Sequence, residues 1–186
     1  IIDAVVYATT YAYNTYGDVT STTFPHPSNY TLNAAYDANG YLTTLRNGNN
    51  TITLFTNTGM NGLNQYTNYT LGNGKSSTIS YYFGTPTRYY TPGTQDLNLT
   101  WNHQSGNLDS RYDALKGRTE SFAYDNLNRL LTSTVTGQSA VTVNYAANGN
   151  INSKTSVGSY TYSPTKINAV AEVSNPSSVV PSAFQT

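Results

Sequence analysis

Apolar and polar side chains alternate with a period of two along most of this chain, and no stretch holds a helical period for three turns. Tyr7, Thr9, Tyr11 and Tyr13 predict a first strand over Val5 to Tyr13. Tyr30, Leu32, Ala34 and Tyr36 predict another, with a return along Leu42 and Thr44 and a further strand through Ile52 and Leu54. The same alternation recurs at Ile79, Tyr81 and Phe83, at Leu97, Leu99 and Trp101, from Leu130 to Val135, at Val141, Val143 and Tyr145, and at Tyr160 and Tyr162. Between these runs stand turn signals. Asn47-Gly48 reads as a hairpin of the primed type, and Gly72-Asn73-Gly74, Thr136-Gly137-Gln138 and Val157-Gly158-Ser159 as further turns. Phe24-Pro25-His26-Pro27-Ser28 reads as a loop, and Pro86 and Pro92 confine Thr87 to Tyr90 to an edge or a short strand. Residues 57–65 carry little pattern. The expectation is an all-β antiparallel meander with no helix and at least eight strands.

One short frame recurs through this alternation. In Tyr124-Asp125-Asn126-Leu127-Asn128-Arg129-Leu130 and in Tyr36-Asp37-Ala38-Asn39-Gly40-Tyr41-Leu42, an aromatic is followed after four residues by Asn or Gly and after six by Leu. Tyr13, Gly17 and Val19 fit it, as do Tyr145, Gly149 and Ile151. Trp101, Gly106 and Leu108 give a form one residue longer, Tyr112-Asp113 with Gly117 a looser one, and Phe55 with Gly59 a decayed one that lacks the apolar residue. Tyr81-Tyr82-Phe83-Gly84 begins a second decayed unit. Physically, an aromatic ends a strand, a tight turn follows, and an apolar residue begins the return. Gly or Asn is needed where φ is positive, which costs other residues roughly 1–2 kcal/mol. Asp after the tyrosine can accept hydrogen bonds from the turn's own N–H groups, so its role reads as structural. Two kinds of turn alternate in a cycle of about twenty residues, as in an array growing in one direction.

These two units resemble the tyrosine–aspartate repeat of the RHS family. The stretch from Gly106-Asn107-Leu108 through Asn148-Gly149-Asn150-Ile151 to Lys166-Ile167-Asn168-Ala169-Val170 is similar to RHS-repeat proteins of Bacteroidetes-type bacteria. The resemblance covers most of the chain and is strongest from Gln95 to Pro176. It implies a curved β-strip over 1–173, part of a spiral β-shell that encloses or displays another polypeptide, often a toxin. Residues 174–186 then read as a linker or the approach to a further unit. It also implies a secreted or cell-surface bacterial protein whose partners are flanking repeats of the same parent and an enclosed or tethered polypeptide. The Asp-Pro and Gly-rich signature of the family's self-cleaving segment is not found in the sequence.

Composition narrows the function. Charged residues are 10% of the chain and the net charge is zero, so nine scattered Lys and Arg build no face for nucleic acid. Low charge with 18 Tyr and abundant Thr argues for sheet rather than disorder. With no cysteine there is no disulfide, thiol nucleophile or thiolate metal site. No apolar run reaches the ~20 residues of a membrane-spanning helix, and Ile1-Ile2-Asp3 lacks a signal peptide's basic region. The expected strand at Val5 to Tyr13 carries no charge, so as a fragment the chain is expected to self-associate edge to edge.

Catalytic chemistry finds little footing. Asp109 with Asp113, or Glu120 with Asp125, would need to face one pocket to act as a glycosidase pair, and strand alternation gives no reason for that. His26 and His103 lack a Gly-x-Ser-x-Gly elbow and any metal-ligand spacing. No catalytic, metal or cofactor residue is assigned. The alternative to a structural segment is an adhesin module stacking glycans on exposed aromatics, with Trp101 and His103 as the candidates.

Overall fold

A computed structural model describes residues 7–25, 30–155 and 157–175. Among them there are sixteen strands and no helix. They are β1 (Thr10–Tyr13), β2 (Val19–Thr23), β3 (Thr31–Tyr36), β4 (Leu42–Asn47), β5 (Thr53–Met60), β6 (Tyr66–Leu71), β7 (Ser76–Tyr82) and β8 (Thr85–Thr91), followed by β9 (Gln95–Trp101), β10 (Leu108–Asp113), β11 (Arg118–Tyr124), β12 (Leu130–Val135), β13 (Val141–Tyr145), β14 (Ile151–Lys154), β15 (Gly158–Tyr162) and β16 (Val170–Ser174). Their order in the sheet is the order of the chain, and the pairing is antiparallel, as the alternation predicts. Of the expected strand from Val5 to Tyr13, Val5 and Val6 lie outside the described residues, as do His26 and residues 176–186.

The chain divides into two units, 1–96 and 97–186. Among the described residues of each unit a strand packs only against its neighbours in sequence, and no second layer covers either face. Burial is correspondingly shallow. Val143 is the one buried apolar side chain among the described residues, joined by Ser77 and Thr91, whose hydroxyls bond each other at 2.6 Å. Most strand positions are half-buried, because each face shields itself only by the packing of cross-strand neighbours. Phe55 between Tyr66 and Tyr69, with ring centroids 5.7 Å from each, is the clearest such cluster.

Several local expectations are corrected. Asn47-Gly48 does not form a primed two-residue turn. Asn50 carries the positive φ of 60°, and the Asn47 side chain accepts from Ile52 N–H. A Cβ on Gly48 would come within 2.9 Å of the Thr31 side chain, so close packing explains that glycine. β8 is a full seven-residue strand despite Pro86, which stands at a bulge opposite Tyr81 where no ladder hydrogen bond is required of it. The pattern-poor stretch at 57–65 holds the end of β5 and an ordinary turn, its signal masked by a methionine in the aromatic's place.

Candidate functional site

The recurring turn has one construction. In the hairpins β1–β2, β3–β4, β5–β6, β11–β12 and β13–β14, the residue after the strand's last member donates its N–H to a carbonyl four residues on. Its own carbonyl accepts from the N–H three residues on. For Asp37 these bonds are 2.9 and 3.1 Å, and for Asp125 they are 3.0 and 2.9 Å. The carboxylate then fills the turn. Asp37 Oδ1 accepts from Asn39 and Tyr41 N–H, and Asp125 Oδ1 from Leu127 and Arg129 N–H. Asn14 and Asn61 do the same work with an amide oxygen. The position four after the aromatic is left-handed in all five: Gly17 at φ 91°, Gly40 at 82°, Asn64 at 61°, Asn128 at 59° and Gly149 at 91°. Only Gly and Asn tolerate this cheaply.

The frame's first residue, aromatic in all but Met60, sits at a β-bulge in every one of these hairpins. Tyr13 opposes Val19, Tyr36 Leu42, Met60 Tyr66, Tyr124 Leu130 and Tyr145 Ile151, and the return strand carries one extra residue directly beyond. Trp101 opposite Leu108, Tyr81 opposite Pro86 and Tyr162 opposite Val170 repeat the bulge on turns of other lengths. The unit sought at Phe55 and Gly59 therefore lies five residues on, from Met60 through Asn64 to Tyr66. Tyr112, Asp113 and Gly117 belong to the turn between β10 and β11, at the opposite end of the strands.

A bulge re-aims its side chain, and here it aims a phenol at the preceding hairpin. Tyr36 donates to the Val19 carbonyl at 2.9 Å, Tyr81 to Tyr66, Tyr124 to Leu108, Tyr145 to Leu130 and Tyr162 to Ile151, each of these at 3.0 Å. Every acceptor is the residue paired with the previous hairpin's aromatic-position side chain. Met60 cannot donate, and its partner Tyr66 reaches the Leu42 carbonyl instead, at 3.4 Å. The tyrosines are thus rungs that tie each repeat to the one before. Arg129 adds a second tie in one place, since it bonds Asp125 at 2.6 Å while its guanidinium lies 4.4 Å from the Tyr145 ring centroid.

No arrangement for catalysis emerges among the described residues. Asp113 is paired with Lys116, Glu120 with Arg111 and Asp125 with Arg129. The backbone N–H of Arg129, with its side chain, holds the Asp125 carboxyl below its usual range. Burial raises the Tyr81 phenol, which is occupied as a donor. An open depression of about 370 Å³ on β10 and β11 is lined by Arg111, Asp113, Lys116, Arg118 and Glu120, mostly ion-paired. No group of three metal-ligating side chains is found among the described residues. Trp101 ends β9 and is half-buried, and His103 is an exposed turn residue.

The architecture defined by these turns is an antiparallel strip of tyrosine-tied hairpins. By fold the chain is similar to parts of the Tc toxin complexes TcdB2–TccC3. In the TcdB2–TccC3–Cdc42 structure the TM-score is 0.70 at 17% identity, over 90% of this chain and 10% of that one. The TcdB2–TccC3 structure gives 0.65 at 18%, over 89% and 10%. The Photorhabdus luminescens Tc holotoxin pore, with a substituted TccC3, gives 0.63 at 18%, over 88% and 9%. The chain thus spans about a tenth of the solved chains it matches. No protein-family profile matches it, and no curated protein does.

Proposed function

We propose that this chain is a non-enzymatic wall segment of an RHS-type β-shell, exported by a bacterium, that encloses or displays another polypeptide such as a toxin. The observation that carries the reading is a sheet with neither face covered by the described residues of its own chain. Folded domains normally bury one face of a sheet against a second layer. Here each unit has a single layer, and the strands touch only their sequence neighbours. Such a sheet becomes useful as a partition, with one face toward contents and the other toward solvent. The described surface supports this, because its faces are hydroxyl- and tyrosine-rich with few charges and offer no convergent specific site. The likeness in fold to TcdB2–TccC3 supports it too.

Enclosure in this reading is physical. Backbone ladders and tyrosine rungs hold the wall closed, and flanking repeats of the same parent continue the ladder at β1 and β16. The test is protection. The parent protein, with the polypeptide that follows it, is treated with protease before and after the rungs are removed (Tyr36→Phe, Tyr124→Phe, Tyr145→Phe). Protection of the downstream polypeptide that weakens with the rungs supports the wall. A downstream polypeptide cleaved at the same rate with and without this segment refutes it. A glycan screen giving a saturable ligand lost in Trp101→Ala would instead favour an adhesin.

A further inference from the structure

Turn tips in this chain are built from Asn, Asp and Gly, yet several carry a large apolar residue, and five of these are the most exposed. Tyr16, Phe83, Leu127, Ile167 and Leu63 are 90, 86, 73, 69 and 64% exposed, higher than any other large apolar side chain described. All five lie in turns that follow odd-numbered strands. Tyr16, Leu63 and Leu127 stand three residues after their frame aromatic, where Asn39 and Asn148 stand in sister turns. The fold therefore does not require an apolar residue there.

Phe83 sharpens the point. It occupies the two-residue turn between β7 and β8 at φ 46°, the only aromatic among the described residues with positive φ. A bulky side chain is strained in that region, whereas Asn or Gly is at ease. Strain at an exposed residue indicates that the side chain is kept for something outside the local fold. Its ring packs edge-on against Tyr82 with centroids 4.5 Å apart. The neighbouring hairpin joins the patch, because Gln65 Nε2 donates to the Gly84 carbonyl at 2.9 Å and Leu63 Cδ1 lies 3.0 Å from where a Cβ on Gly84 would be.

We infer that Leu63, Tyr82 and Phe83 form a self-complementary docking surface through which two copies of this chain pair, tip to tip. The two rings at 86 and 55% exposure leave roughly 300 Å² open, and Leu63 brings the patch to roughly 400 Å², a size that marks interaction sites. Two such patches apposed about a two-fold axis bury roughly 800 Å² in total, the scale of a weak, transient homodimer contact. No ionised side chain belongs to the patch, so a second copy meets no like-charge repulsion. The absence of Lys and Arg from these two turns argues against an anionic membrane as the occupant. The inference does not depend on the shell reading.

The experiment must separate this contact from pairing at strand edges. The full chain carrying Tyr11→Lys and Val170→Lys, which guard the two outer strands, is compared with the same chain also carrying Leu63→Asn and Phe83→Asn, by sedimentation velocity over a wide concentration range. The edge-guarded chain is expected to dimerise. The tip variant is expected to raise the dissociation constant at least about tenfold while its melting temperature holds or rises, because Asn suits the backbone at 83. Phe83→Gly repeats the arm with the other residue at ease there. An edge-guarded chain that stays monomeric, or tip variants that dimerise as before, would overturn the inference. So would binding to neutral phosphatidylcholine vesicles through Phe83 without any dimer.

Discussion

Removing single rungs tests whether the tyrosines join repeats or merely fill space. Tyr124→Phe and Tyr162→Phe each delete one hydroxyl that donates at 3.0 Å to a carbonyl of the preceding hairpin and leave the ring in place. A net hydrogen bond contributes about 0.5–1.5 kcal/mol, and the stranded carbonyl adds part of its desolvation cost, so about 1 kcal/mol is expected for each. For a chain of this size that lowers the melting temperature by roughly 2–4 °C. Tyr124 ends β11 and Tyr162 ends β15, four strands or roughly 19 Å apart. Their effects should therefore add in the double variant. Urea denaturation followed by circular dichroism measures this, with Tyr112→Phe as control, because Tyr112 is 42% exposed and lies at the other end of the strands. The control should fall within about 0.5 kcal/mol of the parent. If Tyr112→Phe costs as much as Tyr124→Phe, or if the double variant costs no more than one single, the rungs do not couple the repeats.

Other outcomes follow from the same geometry. Gly40→Val and Gly149→Val should each destabilise by more than about 1 kcal/mol through the backbone alone, because nothing lies within 4 Å of the added Cβ. Gly40→Asn should cost far less, since Asn64 and Asn128 hold the same position, and equal costs in denaturant melts would misplace the turn frame. Asp125 has its folded pKa lowered by the Arg129 and Leu127 N–H groups and the Arg129 side chain. Its contribution is therefore present above the ordinary value of 3.8 and lost as pH falls through the lower folded value. Asp125→Asn should flatten the acid limb of a stability–pH curve and leave the neutral limb's slope unchanged. The far-ultraviolet spectrum should show strand and no helical signal, and a dominant helical band would contradict the fold.

What the sequence determined by itself is what depends on neighbours within one turn. The frame at Tyr36 and Tyr124 could be read because Asp, the left-handed Gly or Asn and the returning Leu interact over six residues, and such local chemistry repeats legibly. The alternation of Tyr, Thr and Leu likewise announces strands, since side-chain period is a property of each strand alone. Other features needed the tertiary structure, because they depend on which residue lies across the ladder. Met60 passes for noise until it is seen opposite Tyr66, with Asn61 and Asn64 in the places of Asp and Gly. Tyr112-Asp113 imitates the frame in sequence, yet two sets of turns alternate and only strand pairing assigns it to the other end. The tyrosine rungs span 11 to 17 residues and arise from a bulge, a shift of register that no single strand records. Phe83 looked like the last member of an alternating strand. Only the backbone, turning left-handed at that residue, shows it at the tip with its ring in solvent.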